Sequence, residues 1–182
     1  MIVKTIFSGF GGQGVLMMGV SLAHSGMNKG FHVTYLPAYG AEMRGGTANC
    51  TVAIADEEIA SPVASEPNFL VAMNSPSLFS FQNKVIVEGT IFLNSSITND
   101  RPHRHDVKVF CIPCSDIAQD LGNIRVANII MMGAFIKVTG IVTSEIYLNS
   151  LESIMGSRKK SLAEINRKAF AAGFDYLKNQ QG

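Results

Sequence analysis

Four glycines in six residues, Gly9-Phe10-Gly11-Gly12-Gln13-Gly14, stand between an apolar run (Ile2, Val3, Ile6, Phe7) and a helix-length segment from Val15 to Asn28 that carries no Asp, Glu, Lys or Arg. Glycine reaches positive φ at little cost and leaves no Cβ in the way, so a strand-to-helix turn built this way offers bare amide N–H groups to an anion. The spacing of Gly9, Gly11 and Gly14 matches G-x-G-x-x-G, the pattern that seats a dinucleotide pyrophosphate. A ribose-binding carboxylate is then expected about 20 residues on, at the end of the second strand. The sequence instead reads Tyr35-Leu36-Pro37-Ala38, and the next acid is Glu42. A nicotinamide cofactor is therefore disfavoured. A phosphate-facing or partner-facing turn and a turn that only permits close helix–strand packing both remain open.

Cys111-Ile112-Pro113-Cys114 has the spacing of a redox pair or half a zinc site. Four ligands are needed for structural zinc, and the third cysteine, Cys50, is distant. His103 and His105 lie in a polar stretch, Arg101 to Asp106, that reads as a solvated loop. Three cysteines are too few to hold an iron–sulfur cluster alone. No Ser or Cys sits in a nucleophile elbow with an assignable His.

These groups need a scaffold, and 182 residues suffice for one domain spanning 1–182. The 15 basic and 14 acidic residues nearly cancel, which gives no electrostatic ground for nucleic acid or an anionic membrane as partner. Charged residues make up 16% of the chain and hydrophobic ones 47%, with nine methionines. This composition predicts either a large core or apolar surface covered by other subunits. Lys4 is followed by an apolar run that passes directly into the glycine turn, without a cleavage site, which predicts a cytoplasmic protein.

Along the chain, apolar runs predict strands at Phe31 to Tyr35, Thr47 to Ala55, Phe69 to Met73, Val85 to Val87, Thr90 to Leu93 and Val107 to Ile112. Helices are expected at Val15 to Lys29, stopped by Gly30, and at Ser75 to Gln82. A short one capped by Ser115 should end at Gly122. The stretch from Arg125 to Val138 is apolar all round and too short to span a bilayer, hence a buried or interface helix. Ser144 to Met155 and Ser161 to Lys178 complete the set; Ser161-Leu162-Ala163-Glu164 reads as a capping box, with Leu162, Ile165, Ala169, Phe170 and Phe174 as one apolar stripe. Strands alternating with helices predict an α/β fold with a mostly parallel sheet and a Rossmann-like first βαβ unit. The loop from Leu36 to Gly46 should leave the same sheet edge as the glycine turn.

Gly9 to Leu16 and Tyr39-Gly40-Ala41-Glu42-Met43-Arg44-Gly45-Gly46-Thr47-Ala48-Asn49-Cys50 together resemble the gamma subunit of 2-oxoacid:ferredoxin oxidoreductases, of the pyruvate, 2-oxoglutarate or 2-oxoisovalerate type. The likeness runs on through Ile112-Pro113, Ile117-Ala118, Leu121-Gly122-Asn123 and Val126-Ala127-Asn128 to Gly133-Ala134. Ala41 stands where many members have proline, and Cys111 and Cys114 match no family feature.

The resemblance implies a three-layer α/β/α domain in an enzyme that turns a 2-oxoacid and coenzyme A into acyl-CoA and carbon dioxide and reduces ferredoxin. It implies thiamine diphosphate, Mg and iron–sulfur clusters in alpha, beta and ferredoxin-like partner subunits, none held by this chain, which alone should be inactive. The expected ligand- or partner-facing residues are Gly9, Gly11, Gly12, Gln13 and Gly14, with Tyr39, Gly40, Glu42, Arg44, Gly45, Gly46 and Thr47 in a second loop. The alternative is a stand-alone nucleotide-binding protein that holds a phosphate on the Gly9 to Gly14 loop.

Overall fold

A computed structural model describes residues 1–38, 47–63, 65–156 and 160–177. Of the second loop, Tyr39, Gly40, Glu42, Arg44, Gly45 and Gly46 lie outside the described residues, and Thr47 opens a strand.

Six strands form one sheet in the order β2-β3-β1-β4-β5-β6, with β1 at Ile2–Phe10, β2 at His32–Ala38, β3 at Thr47–Ala55, β4 at Phe69–Ala72, β5 at Thr90–Asn94 and β6 at Lys108–Ile112. β1, β4, β5 and β6 run parallel, and β3 is antiparallel to both β1 and β2. Five strands therefore point one way, and β3 is wedged against the grain between the two parallel strands of the first βαβ unit. The chain leaves β1 toward β2 on one side, while β4 lies on the other. That reversal makes the β1/β4 boundary a topological switch point, where open α/β sheets bind ligands.

Alternation along the strands sends Phe7, Val52, Ile54, Val71, Phe92 and Ile112 to one face, and Ile6, Leu70, Ala72, Ile91 and Leu93 to the other. The first face is covered by α1 (Val15–Asn28) and α4 (Ala127–Thr139), onto which α5 (Ser144–Met155) and α6 (Lys160–Tyr176) pack. Phe135 of α4 sits among Phe7, Phe69 and Phe92, with ring centroids 5.7, 5.6 and 5.3 Å away. The second face carries the short α2 (Ser75–Phe81), so the three layers are unequal in thickness. α3 (Cys114–Asp120) joins β6 to a 3-10 turn at Ile124–Val126.

Several expectations are corrected. Val85 to Val87 is a connection, not a strand: the Val85 amide bonds the Gln82 carbonyl, and Glu88 adopts φ 62°, which turns the chain before β5. Ser115 does not cap α3. Its N-cap is Pro113, and the Ser115 hydroxyl accepts a hydrogen bond from Asn94. α6 begins at Lys160, one residue before the predicted capping box, and Glu164 pairs with Lys168 at 2.6 Å.

Helix α4 is core: Met131, Met132, Ala134 and Phe135 are fully buried within this chain. Its apolar surface is thus no docking face, and the low charge content is largely accounted for by the interior. α1 is mixed, with Met18 and Leu22 buried but Met17 and Met27 exposed. Among the described residues, no helix is long and apolar enough to cross a membrane.

Candidate functional site

The glycine turn closes β1 and opens α1. Gly14 holds φ 74° as the N-cap residue of α1, and Gly12 holds φ 93°. Gly9 is needed for space. A Cβ there would stand 2.7 Å from Gln13 Oε1 and 2.9 Å from the Met73 Cβ. A Cβ at Gly14 would meet Asn128 Nδ2 at 2.4 Å, whereas Gly12 faces open space. Gly11 is exposed within the turn. The packing role and the ligand-facing role are thus divided among the glycines: Gly9 and Gly14 seat neighbours, and Gly11 and Gly12 are left to the outside.

Gln13 is the staple of the turn. Its Oε1 accepts from the Phe10 amide at 2.6 Å and from Asn74 Nδ2 at 3.1 Å, while its Nε2 donates to the Met73 carbonyl at 3.2 Å. Asn74 in turn caps α2, its Oδ1 accepting from the Ser77 amide at 2.9 Å. One carboxamide pair therefore ties the ends of β1 and β4 to the starts of α1 and α2. No side chain caps α1, so its first amides keep their positive partial charge for whatever lies beyond the turn.

A cleft of about 320 Å³ opens at this sheet edge. Gly12, Gln13 and Met73 form one wall, Asn94, Ile97 and Ser115 another, and Ile124, Arg125, Ala127 and Asn128 the third. Asn94, fully buried at the end of β5, donates to Ser115 at 3.0 Å and accepts from the Ser96 amide at 3.3 Å, while Ser96 Oγ accepts from the Asp116 amide. Arg125 is exposed and makes no ion pair among the described residues. Among the described residues, no Asp or Glu lines the cleft. A guanidinium and an uncapped helix start, with no carboxylate among the described lining residues, give the site a positive electrostatic character.

The Gly9 to Gly14 residues are brought together as expected, and both flanks of the second loop reach the same edge, because Thr47 pairs with Phe10 and Ala38 ends β2. Asn74, Asn94, Ser115, Arg125 and Asn128 were missed as site residues. They come from four separate chain segments, and a lone Asn, Ser or Arg in such a segment carries no local signal of a shared cleft.

The cysteines do not converge. Cys111 packs with the α2-side cluster and Cys114 with the cluster on the opposite face, so the C-x-x-C offers neither a redox pair nor half a metal site. Burial pushes the Cys50 thiol up to about 12, an effect that hydrogen bonds from Tyr35 and Gly19 only partly offset, and it raises Cys114 further. Among the described residues, no group of three His, Cys, Asp or Glu could hold a metal ion. His103 packs against Phe79 with the rings tilted by 57°, and Arg104 spans to the Gln82 and Val85 carbonyls and to Asp106, so that loop is anchored rather than freely solvated.

The same architecture is found in known proteins. The chain is 37% identical over 183 residues to the ketoisovalerate oxidoreductase subunit VorA of Methanothermobacter marburgensis, covering 99% of this chain and 38% of that protein. It therefore spans well under half the length of that relative. It superposes on the gamma subunit of a keto/oxoacid ferredoxin oxidoreductase from Geobacter sulfurreducens with a TM-score of 0.82 at 27% identity, covering 95% of this chain and 96% of that one. A 2-oxoglutarate:ferredoxin oxidoreductase from Magnetococcus marinus, solved with 2-oxoglutarate, coenzyme A and succinyl-CoA bound, shares the fold with a TM-score of 0.83 at 19% identity over 95% of this chain and 30% of its own. Residues 4–176 match the model of the family described as pyruvate ferredoxin/flavodoxin oxidoreductase, and the chain belongs to that family as a gamma-type subunit.

Proposed function

We propose that this chain serves a coenzyme A-dependent 2-oxoacid:ferredoxin oxidoreductase, in which a 2-oxoacid and coenzyme A yield acyl-CoA and carbon dioxide while two electrons pass to ferredoxin. It works only when assembled with alpha, beta and ferredoxin-like subunits, which carry thiamine diphosphate, Mg and the iron–sulfur clusters. The observation that supports this most is the cleft at the β1/β4 switch point, lined by no carboxylate among the described residues, where Arg125 and the uncapped start of α1 suit the phosphates of coenzyme A. The Magnetococcus neighbour, described with coenzyme A bound, is in keeping with it.

In this reading the thiamine group supplies the decarboxylation chemistry when bound in a partner. This chain's part is to bind and orient the thiol-bearing co-substrate and to exclude water. Gln13 and Asn74 hold the turn rigid, so a positioned phosphate costs little reorganisation. β2 ends and β3 begins at this edge, and the proposal gives Arg44, between them in sequence, the task of binding a phosphate or a partner carboxylate, with Glu42 as its orienting partner.

The test is reconstitution. Partner subunits are assayed for 2-oxoacid-dependent ferredoxin reduction with and without this chain, across coenzyme A concentrations. Loss of turnover without it supports the proposal. Equal turnover without it, joined to tight nucleotide binding by the lone chain, establishes the stand-alone nucleotide-binding alternative instead.

A further inference from the structure

The glycine cleft is not positive throughout. Two of its lining residues are exposed isoleucines, Ile97 at 49% in the turn after β5 and Ile124 at 58% in the 3-10 turn after α3. Covering such aliphatic surface releases water and favours a ligand with an apolar face. A hydrogen-bond donor stands on the same wall as Ile97. The Ser96 amide donates to Asn94 Oδ1 at 3.3 Å, which fixes the orientation of that buried carboxamide, so Asn94 Nδ2 is the group that donates to Ser115 Oγ at 3.0 Å. The Ser115 proton must therefore point away from Asn94. No acceptor takes it among the described residues, and Ser115 lines the cleft. Ser96 Oγ accepts from the Asp116 amide at 3.0 Å, which draws the turn of Ile97 against Ser115. Apolar surface next to a hydroxyl donor suits a purine, whose faces are apolar and whose edge carries acceptor nitrogens.

Size and reach decide which end of coenzyme A this is. At about 320 Å³ the cleft lies at the small end of ligand pockets, which span ~300–1,000 Å³, and holds one end of that molecule only. The thiol end must reach the thiamine group in a partner, so the pantetheine arm leaves this chain and the nucleotide end stays. We propose that Ile97, Ile124 and Ser115 form the purine subsite. The two isoleucines pack against the adenine ring, Ser115 donates to a ring nitrogen, and the attached phosphates lie toward Arg125 and the start of α1. This subsite deepens the coenzyme A reading above and depends on it.

The probe is adenosine 3′,5′-bisphosphate, titrated by calorimetry into the assembled complex, with 4′-phosphopantetheine as the co-substrate that lacks the nucleoside. Saturable binding, displaced by coenzyme A, is expected. Ile97→Ser combined with Ile124→Ser should weaken it about tenfold, and Ser115→Ala about threefold or more. The ratio of kcat/KM for coenzyme A to that for phosphopantetheine should fall by the same factors. Both isoleucines are exposed, so their replacement leaves the core intact. Absence of saturable binding, or binding indifferent to all three substitutions, overturns the subsite, while ferredoxin reduction that still requires this chain leaves the coenzyme A reading standing. An equal loss for both co-substrates overturns the subsite and moves the isoleucines to the pantetheine arm. Impaired assembly with unchanged nucleotide affinity overturns it by moving them to a subunit interface. Turnover that is the same without this chain overturns the coenzyme A reading itself.

Discussion

Gly173 and Ile130 hold α6 and α4 in backbone contact: a Cβ built on Gly173 would stand 1.8 Å from the Ile130 carbonyl oxygen. Gly133 makes the reciprocal approach, with its added Cβ 2.1 Å from the Phe170 carbonyl. Neither obstacle is a side chain that could swing away. Gly173→Ala should therefore force the helices apart and destabilise the fold by about 1–3 kcal/mol or more. At this chain length that lowers the melting temperature by ~2–4 °C per kcal/mol. An unchanged melting curve would show that the two helices slide past each other freely.

Gln13→Ala removes one hydrogen bond within the turn, from the Phe10 amide, and two that join the turn to Met73 and Asn74. We expect a modest loss of stability, about 1 kcal/mol, since the freed Phe10 amide is exposed to water. The larger effect should be a several-fold rise in the KM for coenzyme A of the reconstituted enzyme. A stability loss with unaltered KM would make Gln13 a purely structural residue.

Arg44→Ala should leave the melting temperature nearly unchanged and weaken coenzyme A use or subunit assembly. Wild-type assembly together with wild-type kinetics for both oxoacid and coenzyme A would remove the second loop from the site.

Stability should fall in alkali. Burial raises the Cys50 thiol from 9.0 to about 12, and raises Cys114 and Tyr147 as well. The unfolded chain releases these protons at lower pH than the folded one does, so the folded state binds more protons and unfolding is favoured as pH rises through 9. Each thiol contributes roughly 1.4 kcal/mol per pH unit above that value. Melting temperatures taken between pH 8 and 11 should drop, and a Cys50→Ala, Cys114→Ala double variant should show a shallower drop. Equal slopes would mean the thiols ionise in place.

Two ion pairs should differ sharply in worth. Arg167 with Glu152 is exposed on both sides, and Arg167→Ala should hardly move the melting temperature. Arg104, with its side chain 16% exposed, also satisfies the Gln82 and Val85 carbonyls, so Arg104→Ala should lower it several-fold more. Similar small shifts for both would show that water replaces the guanidinium at no cost.

Much of this was legible from residue pattern. Thr47–Ala55 and Ser144–Met155 form as read, because the β-branched run and the Thr143 N-cap speak for themselves locally. Val85 to Val87 misled because three apolar residues in a row look the same in a strand and in a turn that follows a 3-10 segment. The unequal layers were hidden for a different reason: periodicity shows which side of an element is apolar, not which neighbour will cover it. The cleft was only half visible. Its glycine wall is contiguous in sequence, whereas Asn128 reaches Gly14 across 114 residues, and nothing in a single asparagine announces such a contact.

The antiparallel wedge of β3 has a consequence for synthesis. Neither partner of β1 exists when β1, α1 and β2 leave the ribosome, because β3 ends at Ala55 and β4 at Ala72. The first 38 residues thus emerge as two strands with no hydrogen-bonded neighbour and an apolar helix between them. Zipping can begin only when β3 slides in to serve both at once, a step with large loop-closure entropy and exposed edges until it is complete. Translation pauses placed before β3 has emerged should therefore leave a chaperone-dependent nascent chain, and protease resistance should wait until α4 has emerged to cover the sheet.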